Sequence, residues 1–178
     1  MTSNVTFFKQ AKLLAFLLIV CIAPDAISGP GSVPFKAKIN TKEILVSGAE
    51  AGLPCPLAGM AVGIGQASHF GNILLAATDC IQPFPTYFEF SQGRFTLTAA
   101  NGDTIKATYG GSMVATQHES NYKLNGWFQI TGGSGRFAGA RGTGQLHGTQ
   151  KLTNNAPPAL PALPSAAGEL EMTGTISY

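Results

Sequence analysis

The chain has 178 residues, a formal net charge of +2 and only 11% charged side chains. That length suits one domain, and the near balance of charge excludes the clustered basic stripe that a nucleic-acid surface requires. From Gly29 onward no segment sustains an apolar pattern at helical period while alternation with period two recurs, so few helices are expected.

Residues 1–12 are polar and carry Lys9 and Lys12, residues 13–23 are an apolar run, and residues 24–29 are a polar exit. The apolar run is shorter than the about 20 residues a membrane-crossing helix needs, and the three regions in this order match a secretory signal peptide. Ala26 and Ser28 supply the small residues before a cut after Ser28, so the signal is placed at 1–28 and the mature domain at 29–178. A buried or anchoring N-terminal helix is the plainer alternative, and Cys21 as a lipid-modified cysteine is disfavoured by the bulky Val20 before it. The mature chain then has no transmembrane segment, stays close to neutral and belongs in a secreted or periplasmic setting.

Two cysteines remain, Cys55 and Cys80. In an oxidising compartment they are most simply a disulfide. It would close a loop of about 25 residues, worth on the order of 3 kcal/mol in the chain-entropy model. Two buried free thiols are the alternative. No His or further Cys stands at ligand spacing from either, so no metal site and no cofactor is expected.

Along the mature chain, residues 34–46 open with Phe35, Ala37 and Ile39 on one face. Ile44 and Val46 join that face after an adjustment of phase, which reads as a strand bent once. Residues 58–70 alternate large Met60, Val62 and Ile64 against small Ala61, Gly63, Gly65 and Ala67, as suits close packing on one face. A turn at Gly71–Asn72 returns the chain as a strand over 73–81, whose far end the disulfide would tie. After a proline-stiffened connection a strand starts at 87–90. Residues 94–99 and 104–109 then form a hairpin around Asn101–Gly102. A two-residue turn there would set Leu97 against Lys106. A three-residue loop, Ala100 to Gly102 with Gly102 left-handed, instead sets Leu97 against Ile105 and Phe95 against Ala107, so the apolar faces agree.

Residues 110–117 read as a shorter strand, 118–122 as a polar turn and 123–131 as a strand with Leu124, Phe128 and Ile130 on one face and Trp127 on the other. A glycine-rich corner follows over 130–144, then a strand at 143–149. Residues 153–167 are Pro/Ala-rich and read as an exposed extended loop. Residues 169–178 alternate to the end, with Leu170, Met172, Gly174, Ile176 and Tyr178 inward. Some eight antiparallel strands on short turns cover their edges best as a closed barrel, with a sandwich as the other solution.

The corner carries Gly132, Gly133, Gly135, Phe137, Gly139 and Gly142. Its spacing does not fit a dinucleotide or phosphate loop, and its flanks are strands. Residues 132–142 resemble the Gly-Gly-Ser/Thr-Gly-x-Phe-x-x-Ala-x-Gly signature of the allene oxide cyclase and dirigent barrel superfamily. Residues 128–131, 95–98 with 100–103, and 67–71 look more similar still to small secreted bacterial proteins of that barrel type. The resemblance spans 59–148 in pattern and is specific only at the corner. It implies an eight-stranded antiparallel barrel and transfers no catalytic residue.

The histidines are scattered. His118 and His147 have polar neighbours and read as solvated. His69, at a hairpin tip, reads as a structural hydrogen bond or as a loop site. Glu169 and Glu171 share an outward face and read as a solvated edge; Glu89 is outward too. Arg136 and Arg141 flank Phe137 and read as solvated or as an anion contact at the barrel rim. With His69 they are the rim candidates. The interior candidates for a ligand are Phe95, Leu97, Ile105, Phe128 and Ile130. Two functions remain: a secreted, non-enzymatic barrel that binds a small apolar ligand or a partner, and, by analogy of fold, an isomerase or cyclase acting on an unsaturated oxygenated small molecule. A pocket above about 300 Å³ with converging polar groups would suit both, and a solid interior neither.

Overall fold

The computed structural model describes residues 31–118, 120–153 and 165–178. The expected signal peptide lies outside them, as does the middle of the Pro/Ala-rich loop. Eight strands occur: β1 (Val33–Ser47), β2 (Leu57–Ala67), β3 (Gly71–Pro83), β4 (Tyr87–Ala99), β5 (Thr104–Ala115), β6 (Asn121–Ser134), β7 (Arg141–Thr153) and β8 (Ser165–Ser177). Each pairs antiparallel with the next, and β8 returns to β1 from Val33↔Ile176 to Ile44↔Ser165. The expected barrel is therefore closed, and closure leaves no unpaired edge. Among the described residues the only helical elements are α1 (Gly48–Ala51), capped by Ser47 and Glu50, and a 3₁₀ turn at Gly135–Phe137. Cys55 and Cys80 form the expected disulfide, with Cα atoms 5.9 Å apart, at the far end of the β2–β3 hairpin.

The β4–β5 loop is the expected one. Leu97 pairs with Ile105 and Phe95 with Ala107, and Gly102 is left-handed at φ +88°. Other boundaries differ. The β2–β3 turn lies at residues 68–70, before Gly71. His69 itself takes a left-handed conformation there (φ +68°) and Phe70 tucks into the core. Residues 87–90 and 94–99 are one strand, because a bulge between Phe90 and Gly93 absorbs the extra residues. Residues 104–115 are also one strand. Gly110 and Gly111 do not break it; a Cβ on Gly111 would stand 2.3 Å from the Asn125 carbonyl, so the glycine admits the neighbouring strand. Thr153 and residues 165–167, expected in the loop, belong to β7 and β8.

The correction with functional weight is in β1. Its phase never adjusts: Phe35, Ala37, Ile39, Thr41, Glu43 and Leu45 all face inward, and Ile44 is exposed, while Val46 is buried although it falls on the other face. On β2 the small face is the inner one, where a Cβ on Gly63 would meet Ile39 at 2.7 Å, and Met60, Val62 and Ile64 are turned to solvent.

The interior is filled unevenly. One end carries the 68–70 turn, the β4–β5 loop and the glycine-rich corner. There Phe137 stacks on Phe70 at 3.9 Å, with both side chains buried, and plugs the barrel. An aromatic column descends from this plug. Phe35 meets Phe70 and Phe128 edge-on, Phe95 lies against Phe128, and Tyr109 lies against Phe95 and Phe90. Beyond Tyr109, toward α1 and the disulfide, packing loosens.

Candidate functional site at the disulfide end of the barrel

Regular alternation places four polar side chains inside this looser end: Glu43 from β1, Asp79 from β3, Tyr109 from β5 and Gln150 from β7. Each occupies an inward position of its strand, in series with Ile39, Leu75, Ile105 and Leu146. Local irregularity makes room for them. Asp79 sits where the β3–β4 register slips between Thr78 and Cys80, opposite the β4 bulge in which Gln92 is left-handed at φ +53°. Bulges of this kind re-aim side chains. A Cβ on Gly93 would stand 2.7 Å from the Tyr109 ring. A Cβ on Gly59 would stand 2.1 Å from Glu43 Oε1 and 2.9 Å from Asp79 Oδ1, so the two carboxyls face one another across a bare glycine.

The Tyr109 hydroxyl donates to Asp79 Oδ2 at 2.6 Å, and the Gln150 amide donates to Glu43 Oε2. Asp79 Oδ1 is buried and has no hydrogen-bond partner among the described residues. The neighbouring Gly59 amide favours the charged form of Asp79 without completing a hydrogen bond to Oδ1. Burial, then the charge of Glu43, raises the Asp79 carboxyl to about 7. Burial also raises Glu43, against the Gln150 amide, and raises Tyr109 well above its usual value. Desolvation disfavours charge on all three, and two carboxyls this close cannot both ionise freely.

A cavity of about 60 Å³, part-open to solvent, lies against this cluster; its wall is largely apolar, with Leu75, Phe95, Met113 and Leu146 beside the polar groups. A second void of about 30 Å³ adjoins it, sharing Glu43, Ile81, Met113 and Gln150, and continues past Leu45, Phe88 and Tyr122. The space is well below the about 300 Å³ of a drug-sized site. It has room for a ligand of roughly four to six non-hydrogen atoms.

The residues selected from sequence fall elsewhere, with one exception. Phe95 lines the cavity, whereas Leu97, Ile105, Phe128 and Ile130 are packed into the column and do not. The glycine-rich corner is at the opposite, plugged end. There Gly135 (φ +62°) and Gly139 (φ +80°) take conformations that other residues avoid. Gly133 leaves space for the Thr104 and Phe137 carbonyls; Gly132 and Gly142 lie on β6 and β7. Arg136 lies over the Phe137 ring, donates to the His69 carbonyl and pairs with Asp103 at 3.4 Å. Arg141 donates to the Thr131 and Ala140 carbonyls at 2.7 and 2.8 Å. His69 donates from Nε2 to the Pro34 carbonyl at 2.9 Å. All three rim candidates are thus engaged in holding the plug.

Sequence reasoning passed over the four polar residues, although a signal was present. Each is a polar group at the inward phase of an otherwise apolar alternation. For Glu43 the assumed change of phase hid it. Compared with protein-family models, curated proteins and solved structures, the chain matches none.

Proposed function

We propose that this protein is a secreted or periplasmic barrel that binds a small, largely apolar molecule at its disulfide end, with a polar atom of the ligand directed at Asp79 and Glu43. The observation that carries the reading is a largely apolar-walled cavity lined by the carboxyls of Asp79 and Glu43, where Asp79 keeps one buried oxygen without a hydrogen-bond partner among the described residues. Such an oxygen costs about 1–3 kcal/mol when left unsatisfied, and a ligand or an ordered water that reaches it recovers that cost. The disulfide and the chain's first 28 residues support the compartment.

The proposed kinship with the allene oxide cyclase and dirigent barrels rests on the glycine-rich corner together with the eight-stranded closed barrel. A second reading, isomerase-like proton transfer on an unsaturated oxygenated substrate, is favoured by one observation. Asp79, held at about 7, can take or give a proton near neutrality, beside a second carboxyl in a different environment. The cavity would then hold only the reacting end of such a substrate.

Native mass spectrometry of protein purified from its own host tests the binding reading. The expected result is a retained small adduct that is lost from an Ala61→Phe variant, in which the ring fills the cavity beside Glu43. Absence of any adduct, together with no thermal shift across a panel of small amphiphiles, would overturn it.

A further inference from the structure

The chemistry of the cavity narrows the ligand class. Its polar groups are lopsided. Glu43 and Asp79 present two carboxyls, the Tyr109 hydroxyl is already spent on Asp79, and one Gln150 amide hydrogen is spent on Glu43. No Lys, Arg or His lines the cavity. The remaining acid at its wall, Glu169, pairs with Lys38 on the outer face at 3.3 Å. Its acceptors outweigh its free donors, which are the Thr149 hydroxyl and the second Gln150 amide hydrogen, and Asp79 keeps one buried oxygen without a partner among the described residues. Once Asp79 is ionised, a ligand that brought a carbonyl or carboxylate would set acceptor against acceptor, and an anion would meet a like charge within the same low-dielectric pocket.

We propose that the cavity takes a small ammonium compound, whose charged nitrogen donates to Asp79 Oδ1 and Glu43 Oε1 while its short aliphatic body packs against Leu75, Phe95 and Leu146. This rests on the reading of the cavity as a ligand site and specifies what that ligand carries. The two oxygens flank Gly59 and stand no more than about 5 Å apart, a separation that one ammonium nitrogen with several donors can span. Met113, at the seam between the two voids, is an unbranched side chain able to shift for entry. Asp79 must ionise to hold the cation. Since burial and Glu43 hold its carboxyl at about 7, binding strengthens as pH rises toward and past that value. The other titratable groups facing it are Glu43, which adds negative charge, and Tyr109, which stays neutral.

The test uses the full mature protein and three probes of nearly equal shape: isobutylammonium, isobutanol and isobutyrate. Affinities are measured by calorimetry or by chemical-shift titration at about pH 8 and about pH 5.5, on either side of the Asp79 titration. The expected result is that the ammonium binds about tenfold or more tightly than the alcohol. Isobutyrate is not detectably bound, and the ammonium preference fades at the lower pH. Asp79→Asn should remove the preference while keeping weak binding of the alcohol, and Glu43→Gln should reduce it. Equal binding of ammonium and alcohol, or tighter binding of isobutyrate, would overturn the cation inference and leave the cavity as a ligand site. Binding of none of the three would overturn the inference and count against the site itself.

Discussion

Asp79 is the residue on which the account turns, and its protonation has a consequence for stability that is independent of any ligand. Its folded-state carboxyl, at about 7, lies above the ordinary value of 3.8, so between those values the folded chain holds a proton that the unfolded chain has released. Stability contributed in this way is fully present below about pH 4 and is lost as pH rises through about 7. Over the full interval the loss approaches about 4 kcal/mol, and relaxation and partial hydration reduce it. Asp79→Asn keeps an acceptor for the Tyr109 hydroxyl and removes the ionisation. The variant should therefore be more stable than the parent at about pH 8, by roughly 1–3 kcal/mol, with the difference closing toward about pH 4. Denaturant midpoints across pH check this, and a difference that does not vary with pH would contradict the burial of an ionisable Asp79.

Gly59 offers a second test at the same scale. A methyl group there would press on the two carboxyl ends rather than on backbone, and such ends can swing away. Gly59→Ala should thus cost little in fold while separating Glu43 from Asp79. Its signature is a downward move of the Asp79 titration, read by carboxyl carbon NMR, because part of the upward shift comes from Glu43.

Among the elements, the glycine-rich corner and the disulfide hairpin hold opposite ends of the barrel. At the corner, a Cβ on Gly133 would lie 2.2 Å from the Thr104 carbonyl, which is backbone and cannot yield cheaply. Phe137 is fully buried against Phe70. Phe137→Ala should cost about 3–5 kcal/mol by cavity formation, whereas Arg136→Ala, which removes an exposed pair and a contact over the ring, should cost about 1 kcal/mol. Equilibrium unfolding of the two variants separates plug from rim. At the other end, replacing Cys55 and Cys80 by Ser should cost on the order of 3 kcal/mol, and should loosen the mouth beside Asp79, whose chain neighbour is Cys80. The same measurement on the reduced parent supplies the control.

What was legible in the sequence follows from what each pattern depends on. The β4–β5 loop could be read to the residue, because one register alone put Leu97 against Ile105, and Gly102 supplied the left-handed position. The count of about eight strands holds, but β4 and β5 each read in the sequence as two shorter segments. Bulges and paired glycines interrupt alternation in the sequence but not the ladder, where the neighbouring strand bridges the gap. The candidate site was missed for a related reason. Sequence density drew attention to the corner, where glycines answer to backbone geometry. The polar cluster is assembled from four strands, 107 positions apart between Glu43 and Gln150, and no local window contains it.

For the molecule as a whole, the two ends of one barrel have separate duties. The plugged end is solid, aromatic and stapled by arginines, and its residues have partners within the chain. The disulfide end is looser, contains the bulge on β4, and holds the unpartnered carboxyl. Dense packing at one end and unsatisfied polarity at the other is the distribution expected when a site is supported by a fold that does not itself take part.

The most direct measurement is a map of backbone amide shifts as isobutylammonium is titrated into the mature protein at about pH 8, above the Asp79 titration. The account predicts saturating shifts concentrated on residues around Glu43, Gly59, Asp79, Tyr109 and Gln150, with the corner around His69, Arg136 and Arg141 unmoved. Shifts centred on that corner, or no saturable shift anywhere, would contradict it.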